Sequence, residues 1–328
     1  MAIDGAHLLE HIQTPALIVS NGQVSFANSA ALTLLGAHIV GQDVRIAIRN
    51  PSAVAVIMGE SGGSTKIDGL SVGGSLWQVS CNVLGPNERL VSLYDQSVRV
   101  STARAHADFV ANASHELRTP LATVLGYAET LLTPKAGGDE ATRERFLNVI
   151  RHEALRMQSL VEDLMSLSRI EALKHEVPAD TVDMVALARE TAGEFRTGAD
   201  VSIVANCESA PIAGDRGQLA QVIRNLIDNA LKYGKKGGPV AITVEATATG
   251  WISITIRDEG DGIAPEHLPR LTERFYRADT SRSRAAGGTG LGLSIVKHIV
   301  ERHRGRFDIT SRQGTGTTAS IMLPLRNS

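Results

Sequence analysis

Cysteine is nearly absent from the chain. Cys81 and Cys207 are the only two in 328 residues, and they show neither CxxC nor Cys/His ligand spacing. A disulfide framework and a zinc site are both unsupported, and the usage fits a reducing, cytoplasmic setting. Long apolar runs are missing as well. Nothing approaches the roughly 18 to 20 residues that cross a bilayer, and Ala16 to Val19 is only strand length. The acidic, mixed N-terminus lacks the basic and apolar blocks of a signal peptide, so a soluble chain with no membrane span is expected. Excess charge is the third absence. A net charge of -2 and a pI near 6.6 argue against a nucleic-acid binder that works by neutralising phosphates. What the chain does have is length, enough for two or three domains.

The first hundred residues alternate short β-rich runs with turn residues. Ala16-Leu17-Ile18-Val19 and Gln23-Val24-Ser25-Phe26 flank Asn21-Gly22, a hairpin signal, and Asn28 is placed to cap a short helix through Leu35. Trp77 to Leu84 and Arg89 to Tyr94 read as two more strands around Gly85-Pro86-Asn87. A compact α+β module is expected here. His38 could be imagined as a haem ligand, but a lone His in a small domain is far more often a surface or core residue, and no cofactor is assigned to this module.

From about Gln96 the chain turns polar and helical, without a breaker, which suits a linker that transmits a rotation or shift. Phe109, Ala113, Leu117, Leu121, Val124 and Ala128 then recur at three- and four-residue steps as one apolar stripe. His115 lies two residues from Ala113 and Leu117, about 200° around a helix that turns roughly 100° per residue, so its imidazole points away from the stripe. Glu116 could orient the ring or accept its proton, leaving the other nitrogen free to attack an electrophile. Thr119, at i+4, shares the face of His115. Pro120 cannot donate to the Glu116 carbonyl, which predicts a loosened or bent helix.

That helix is expected to end near Thr133-Pro134, with Lys135 to Asp139 as the turn and a second helix over about Glu140 to Leu173. Phe146, Val149 or Ile150, Leu155, Leu160, Leu164 and Leu167 repeat along it at near-heptad spacing. One hairpin cannot bury two such stripes, so dimerisation into a four-helix bundle is expected, with packing on neighbouring domains as the alternative.

Beyond Asp180 four clusters stand apart. Asn225 and Asn229 share a helix face, as do Asp228 and Lys232, with Tyr233 following; neutral amide oxygens suit a magnesium ion that stays partly hydrated and bound to phosphates. The alternating strand Trp251 to Arg257 ends in Asp258-Glu259-Gly260-Asp261-Gly262-Ile263, where a carboxylate can accept a hydrogen bond from a base and glycines admit close backbone approach. Glu273-Arg274-Phe275-Tyr276-Arg277 and Arg282 to Arg284 precede Gly287-Gly288-Thr289-Gly290-Leu291-Gly292-Leu293. Glycines ahead of a helix, here Ser294 to His303, offer N–H groups to phosphates, and the polar segment before them reads as a mobile lid. No Gly-Lys-Ser/Thr follows, so this is not a P-loop. Gly314-Thr315-Gly316-Thr317-Thr318 leads into a last strand.

The string His115-Glu116-Leu117-Arg118-Thr119-Pro120 resembles the H-box of sensor histidine kinases, and the four later clusters resemble, in order, the N-box, the G1 box, the F-box with the G2 box, and the closing segment of that family. The resemblance covers about Phe109 to Leu325. It implies His115 as phospho-acceptor assisted by Glu116, and Asn229 as magnesium ligand. Asn225 and Lys232 would lie near the phosphates and Tyr233 beside the nucleoside. Asp258 would read adenine with Gly260, Gly262 and Ile263 around it, and Phe275 would pack the lid. Gly288, Thr289, Gly290, Leu291, Gly292 and Thr317 would complete an ATP site. The N-terminal pattern resembles a PAS domain, particularly that of phosphate-regulon sensor kinases, without the Cys motif of flavin-binding light sensors.

The implied fold is multidomain α+β. It has a PAS-like sensor domain over 1–98, a signalling helix and dimeric antiparallel helical hairpin over 99–175, and a GHKL-type α/β sandwich over 176–328. The implied function is ATP- and Mg2+-dependent autophosphorylation of His115, then transfer to an aspartate of a response regulator in a bacterial two-component system, with regulator phosphatase activity through Thr119. A phosphatase-dominant or kinase-inactive scaffold is the alternative reading, and a nucleotide-regulated chaperone-like protein is a rival that the displayed histidine argues against. The implied partners are a second copy and a cognate regulator, and a membrane-bound signalling partner is compatible with all of this.

Overall fold

The structure, a computed structural model, describes residues 5–70, 75–133, 138–173, 176–195, 200–278 and 288–326. It comprises two compact units, 1–110 and 111–328.

In the first unit a short α1 (Gly5–Glu10) precedes β1 (Ala16–Ser20) and β2 (Gln23–Ala27), which form the expected hairpin. Asn21 and Gly22 take φ of 51° and 79°, the left-handed pair that a two-residue turn requires. Asn28 caps α2 (Ser29–Leu35), its Oδ1 accepting from the N–H of Ala31 and of Ala16. Its Nδ2 donates to the carbonyls of Leu9, Ile12 and Thr14 at 2.9 to 3.1 Å. One fully buried amide thus ties together five backbone groups, its two N–H hydrogens shared among three carbonyls. After α3 (Val44–Ala47) and α4 (Pro51–Met58) come β3 (Gly63–Asp68), β4 (Leu76–Gly85) and β5 (Glu88–Asp95). The sheet runs β2-β1-β5-β4-β3, all antiparallel. Strand alternation turns Trp77, Val79 and Cys81 of β4 inward, into one core with Val44, Ile48, Ala53 and Ile57.

α5 (Ser97–Leu131) stays helical through Pro120. Hydroxyls take up nearby carbonyls: Thr119 Oγ1 donates to His115 O at 3.3 Å, and Thr123 Oγ1 to Thr119 O at 3.2 Å. Of the expected turn, Lys135 to Gly137 lie outside the described residues; Asp139 caps α6 (Glu140–Ala172) by accepting from Thr142 N–H. Only part of the two stripes finds cover. Leu160 and Leu167, with Ile170, are buried, while Leu121 and Leu155 are 46% and 59% exposed.

The rest of the second unit is a sandwich. Its sheet runs β11-β12-β10-β9-β7, formed by β7 (Val201–Ala205), β9 (Val240–Ala246), β10 (Trp251–Arg257), β11 (Arg306–Arg312) and β12 (Gly316–Pro324), with β7 and β9 parallel and the other pairs antiparallel. A two-stranded pair, β6 (Thr181–Asp183) with β8 (Pro211–Ala213), lies apart. The helical layer holds α7 (Met184–Phe195), α8 (Arg216–Tyr233) and α9 (Gly292–Arg302). Ile252, Ile254 and Ile256 alternate inward from β10, and Leu219, Val222, Ile223, Leu226, Ile227 and Ala230 make the buried stripe of α8. That stripe leaves Asn225, Asn229 and Lys232 on another side of the helix. α6 packs against α9, which sets the hairpin beside the sandwich.

Candidate active site

A cleft of about 330 Å³ opens between α8, the segment after β10 and the start of α9. It is lined by Asn225, Asn229, Lys232, Tyr233, Asp258, Gly262, Ile263, Gly288, Thr289, Gly290, Gly292 and Thr317, which lie as much as 92 residues apart in sequence. Gly260, Phe275 and Leu291 are not among its lining residues; nor are His115, Glu116 and Thr119.

Asp258 is the most enclosed acid of the site, 7% exposed. Burial pushes its carboxyl above the usual range, while the N–H groups of Gly260 and Thr317, donating to Oδ1 at 2.8 and 3.3 Å, pull the other way. These bonds fix the carboxylate at the strand end. Ser311, absent from the sequence reading, organises the same corner. It accepts from Ile263 N–H, donates to the Gly316 carbonyl, and meets Thr317 Oγ1 at 2.9 Å.

The glycines of this corner answer first to the chain itself. A Cβ at Gly260 would stand 2.4 Å from the Tyr233 carbonyl, and one at Gly262, whose φ is 69°, would stand 2.1 Å from that of Arg312. Backbone approach to backbone, more than backbone approach to a base, is what the geometry here demands. Gly290 behaves likewise against Phe275, whose own φ is 63° and whose N–H donates to the Gly290 carbonyl. Leu291 is fully buried and serves the core.

On α8, Asn225 Nδ2 donates to the Gly292 carbonyl at 3.3 Å, tying the helix to the start of α9, and Lys232 pairs with Asp228 at 2.6 Å. Among the described residues no three His, Cys, Asp or Glu side chains gather as a metal group. The cleft instead offers neutral amides, Asn229 foremost, which fit a hydrated Mg2+ held chiefly by phosphate oxygens.

His115 is exposed on α5, on the face that its spacing predicts. Glu116 is engaged elsewhere: its Oε2 takes Arg277 at 2.9 Å and Arg156 at 3.3 Å. Further bonds join hairpin to sandwich. Thr289 Oγ1 donates to Asp163 Oδ2 at 2.7 Å, Ser166 Oγ donates to Gln221 Oε1 at 2.8 Å, and Arg274 pairs with Glu171. Ser159 and Asp163 of α6, with Tyr276 and Arg277, complete the cleft wall. Sequence reasoning singled out Thr289 and the Glu273 to Arg277 cluster but missed Ser159, Asp163, Ser166, Glu171 and Gln221, which have no local signature. The candidate lid residues Arg282 to Arg284 and Gly287 lie outside the described residues.

Fold and cleft together define an ATPase-type sandwich joined to a helical hairpin that displays a histidine. Comparison with known proteins agrees. Residues 105–173 match the His Kinase A (phospho-acceptor) domain, and 214–327 the histidine kinase-, DNA gyrase B- and HSP90-like ATPase. The sensor-like histidine kinase SenX3 of Mycolicibacterium smegmatis is 37% identical over 239 residues, covering 72% of this chain and 62% of that protein. The phosphate regulon sensor protein PhoR of Pseudomonas aeruginosa is 38% identical over 250 residues, covering 74% and 55%. The chain therefore spans about three fifths of such relatives. Histidine kinase ThkA, solved in complex with the response regulator TrrA, shares the fold with a TM-score of 0.54 at 17% identity over 99% of both chains. The chain belongs to the sensor histidine kinases, with phosphate-regulon sensors among its relatives. No helix among the described residues is long and apolar enough to cross a membrane.

Proposed function

We propose that the protein is an ATP-dependent histidine kinase that phosphorylates His115 and passes the phosphoryl group to an aspartate of a response regulator. The observation that carries this reading is the cleft in which Asn225, Asn229, Lys232, Asp258, Thr289 and Thr317 converge, on a unit that also displays His115. In this reading Asp258, held by two backbone N–H groups, accepts from the adenine amino group, and Tyr233 flanks the nucleoside. Lys232, Asn225 and Thr289 orient the phosphates. Magnesium held by Asn229 and phosphate oxygens would neutralise charge on the transferred group.

The unprotonated nitrogen of His115 forms the new bond to the γ-phosphorus as the bond to the β–γ bridging oxygen breaks and ADP leaves. The proton on the opposite ring nitrogen passes to Glu116 once that carboxylate is released from Arg277. Catalysis is then positioning plus electrostatics.

The proposal extends to three domains, 1–98, 99–175 and 176–328. The strand order β2-β1-β5-β4-β3, with helices between the second and third strands, supports a PAS-like reading of the first. Exposed stripe residues on α5 and α6 support a homodimer. A cytoplasmic setting accords with two free cysteines.

Incubation with γ-labelled Mg-ATP tests the core of this. Label that is acid-labile, alkali-stable and absent from His115→Gln is the expected result; label that persists in the variant overturns the assignment. Thr119→Ala should keep the label and lose regulator dephosphorylation, since the resemblance assigns this hydroxyl, one turn past His115, to orienting water. Loss of both in a folded protein would remove Thr119 from that role.

A further inference from the structure

Asp163 reaches the nucleotide cleft from outside the sandwich. It sits on α6, 48 residues past His115, and its Oδ2 takes the hydroxyl of Thr289 at 2.7 Å. Thr289 belongs to the glycine segment assigned to the phosphates, and Asp163 lines the same cleft as Lys232 and Asn229. The contact is half-buried: burial raises the carboxyl's pKa, while the Thr289 bond and, after it, the Lys232 charge act against that rise. The hairpin thus adds a carboxylate to a cavity that already holds Asp258, Asp261 and the Lys232–Asp228 pair.

We propose that Asp163 is a nucleotide-discriminating residue, a hairpin carboxylate that competes with the terminal phosphate of a nucleoside triphosphate for Thr289 and Lys232, so that the docked arrangement accepts a diphosphate and disfavours a triphosphate. A fixed negative charge in a partly dehydrated cleft repels added phosphate charge more strongly than it would in water. The repulsion is reciprocal: a triphosphate that binds must displace Asp163 and with it the docking of α6 on the sandwich, whereas a diphosphate has less charge to bring there. Ser166 with Gln221, and Glu171 with Arg274, hold the same two bodies together without lining the cleft. Discrimination therefore belongs to Asp163 rather than to docking in general.

This rests on the nucleotide reading of the cleft, and the experiment separates the two. Dissociation constants for Mg-ATP and Mg-ADP are measured by calorimetry on the full chain, wild type and Asp163→Asn, with melting temperatures recorded alongside. Asparagine keeps an oxygen for Thr289 and removes only the charge, so ATP affinity should rise about tenfold relative to ADP affinity. Asp163→Ser, which also removes volume, should shift the ratio in the same direction, while Ser166→Ala should leave it unchanged. An ATP-to-ADP ratio that stays within about twofold in both Asp163 variants overturns the proposal and leaves the nucleotide reading standing. Binding of neither nucleotide by the wild type, or binding unaffected by Asp258→Ala, overturns the reading and the proposal with it.

Discussion

The hairpin and the sandwich of the second unit are built on opposite terms. In the sandwich the apolar faces of α8, α9 and β10 meet, and their Leu, Ile and Val side chains are almost fully buried. In the hairpin Leu121, Leu125, Leu147, Leu155 and Met165 remain exposed although they lie on long amphipathic helices. The sandwich buries its apolar faces within one chain, whereas the hairpin leaves much of its stripes uncovered. In the proposed homodimer the sandwich and the hairpin can then respond to different inputs, one to nucleotide and the other to whatever moves the helices, with Asp163 of the hairpin reaching the cleft between them.

The largest expected effect breaks the hairpin side of this contrast. Leu121→Glu combined with Leu155→Glu places charge on both stripes, where each buried Leu is worth about 1.5–3 kcal/mol and two-fold symmetry doubles the number of sites. Sedimentation should find a dimer for the wild type and a monomer for the double variant, with nucleotide binding intact. A variant of unchanged mass in solution would mean that the exposed leucines face something other than a second hairpin.

Next in size is a change confined to the sandwich. Gly316 has φ of 119°, and a Cβ there would stand 2.0 Å from the Asp258 carbonyl. Since Gly316 opens β12 and Asp258, one residue past β10, is tied to it by the bond from its N–H to the Thr317 carbonyl, neither can yield cheaply, and Gly316→Ala should cost about 3 kcal/mol or more. The thermal transition of the sandwich should move down and nucleotide affinity fall, while the dimer persists. Melting that is unchanged would show that β12 can shift away from Asp258 without loss.

These two regions also differ in how much of them the sequence disclosed. Cleft residues were legible because each cluster is local: Asn225 and Asn229 fall one turn apart, and Asp258 ends a strand whose alternation is plain. The outward face of His115 followed from period, the hairpin's helix ends from the Thr133-Pro134 break, and the Asn21-Gly22 turn from its residue types. What stayed hidden depends on distance in sequence. Asp163 is one of several acids on α6, and only its meeting with Thr289, 126 residues away, marks it out. Arg277 reads as one of many lid arginines until it is found holding Glu116. β3 escaped because Gly63-Ser64-Thr65-Lys66-Ile67-Asp68 is mostly polar, as suits an edge strand with one inward side chain, Ile67. Asn28 was readable as a cap, but its three bonds to the preceding segment were not.

The smallest expected effect sharpens the contrast by giving the sandwich a pH dependence of its own. His303 is buried where α9 ends, and its Nε2 accepts the Asp215 N–H at 2.9 Å, so the ring must be neutral with the proton on Nδ1, which meets the Ile299 carbonyl at 2.7 Å. Burial is the main cause holding its pKa below the ordinary value; the Ile299 bond opposes this, Arg302 adds to it, and Asp215 opposes it. The unfolded chain takes up its proton near the ordinary histidine value of about 6.5. Between that value and the lower folded one, the unfolded state binds more protons, so the stabilisation is fully present above the window and is lost as pH falls through it. Thermal melting of the wild type should therefore decline below about pH 6.5 more steeply than that of His303→Gln, which retains an acceptor for Asp215 but cannot titrate. Parallel curves for the two proteins would mean that His303 accepts a proton in place, and that the joint between α8 and α9 is looser than the bond to Asp215 implies.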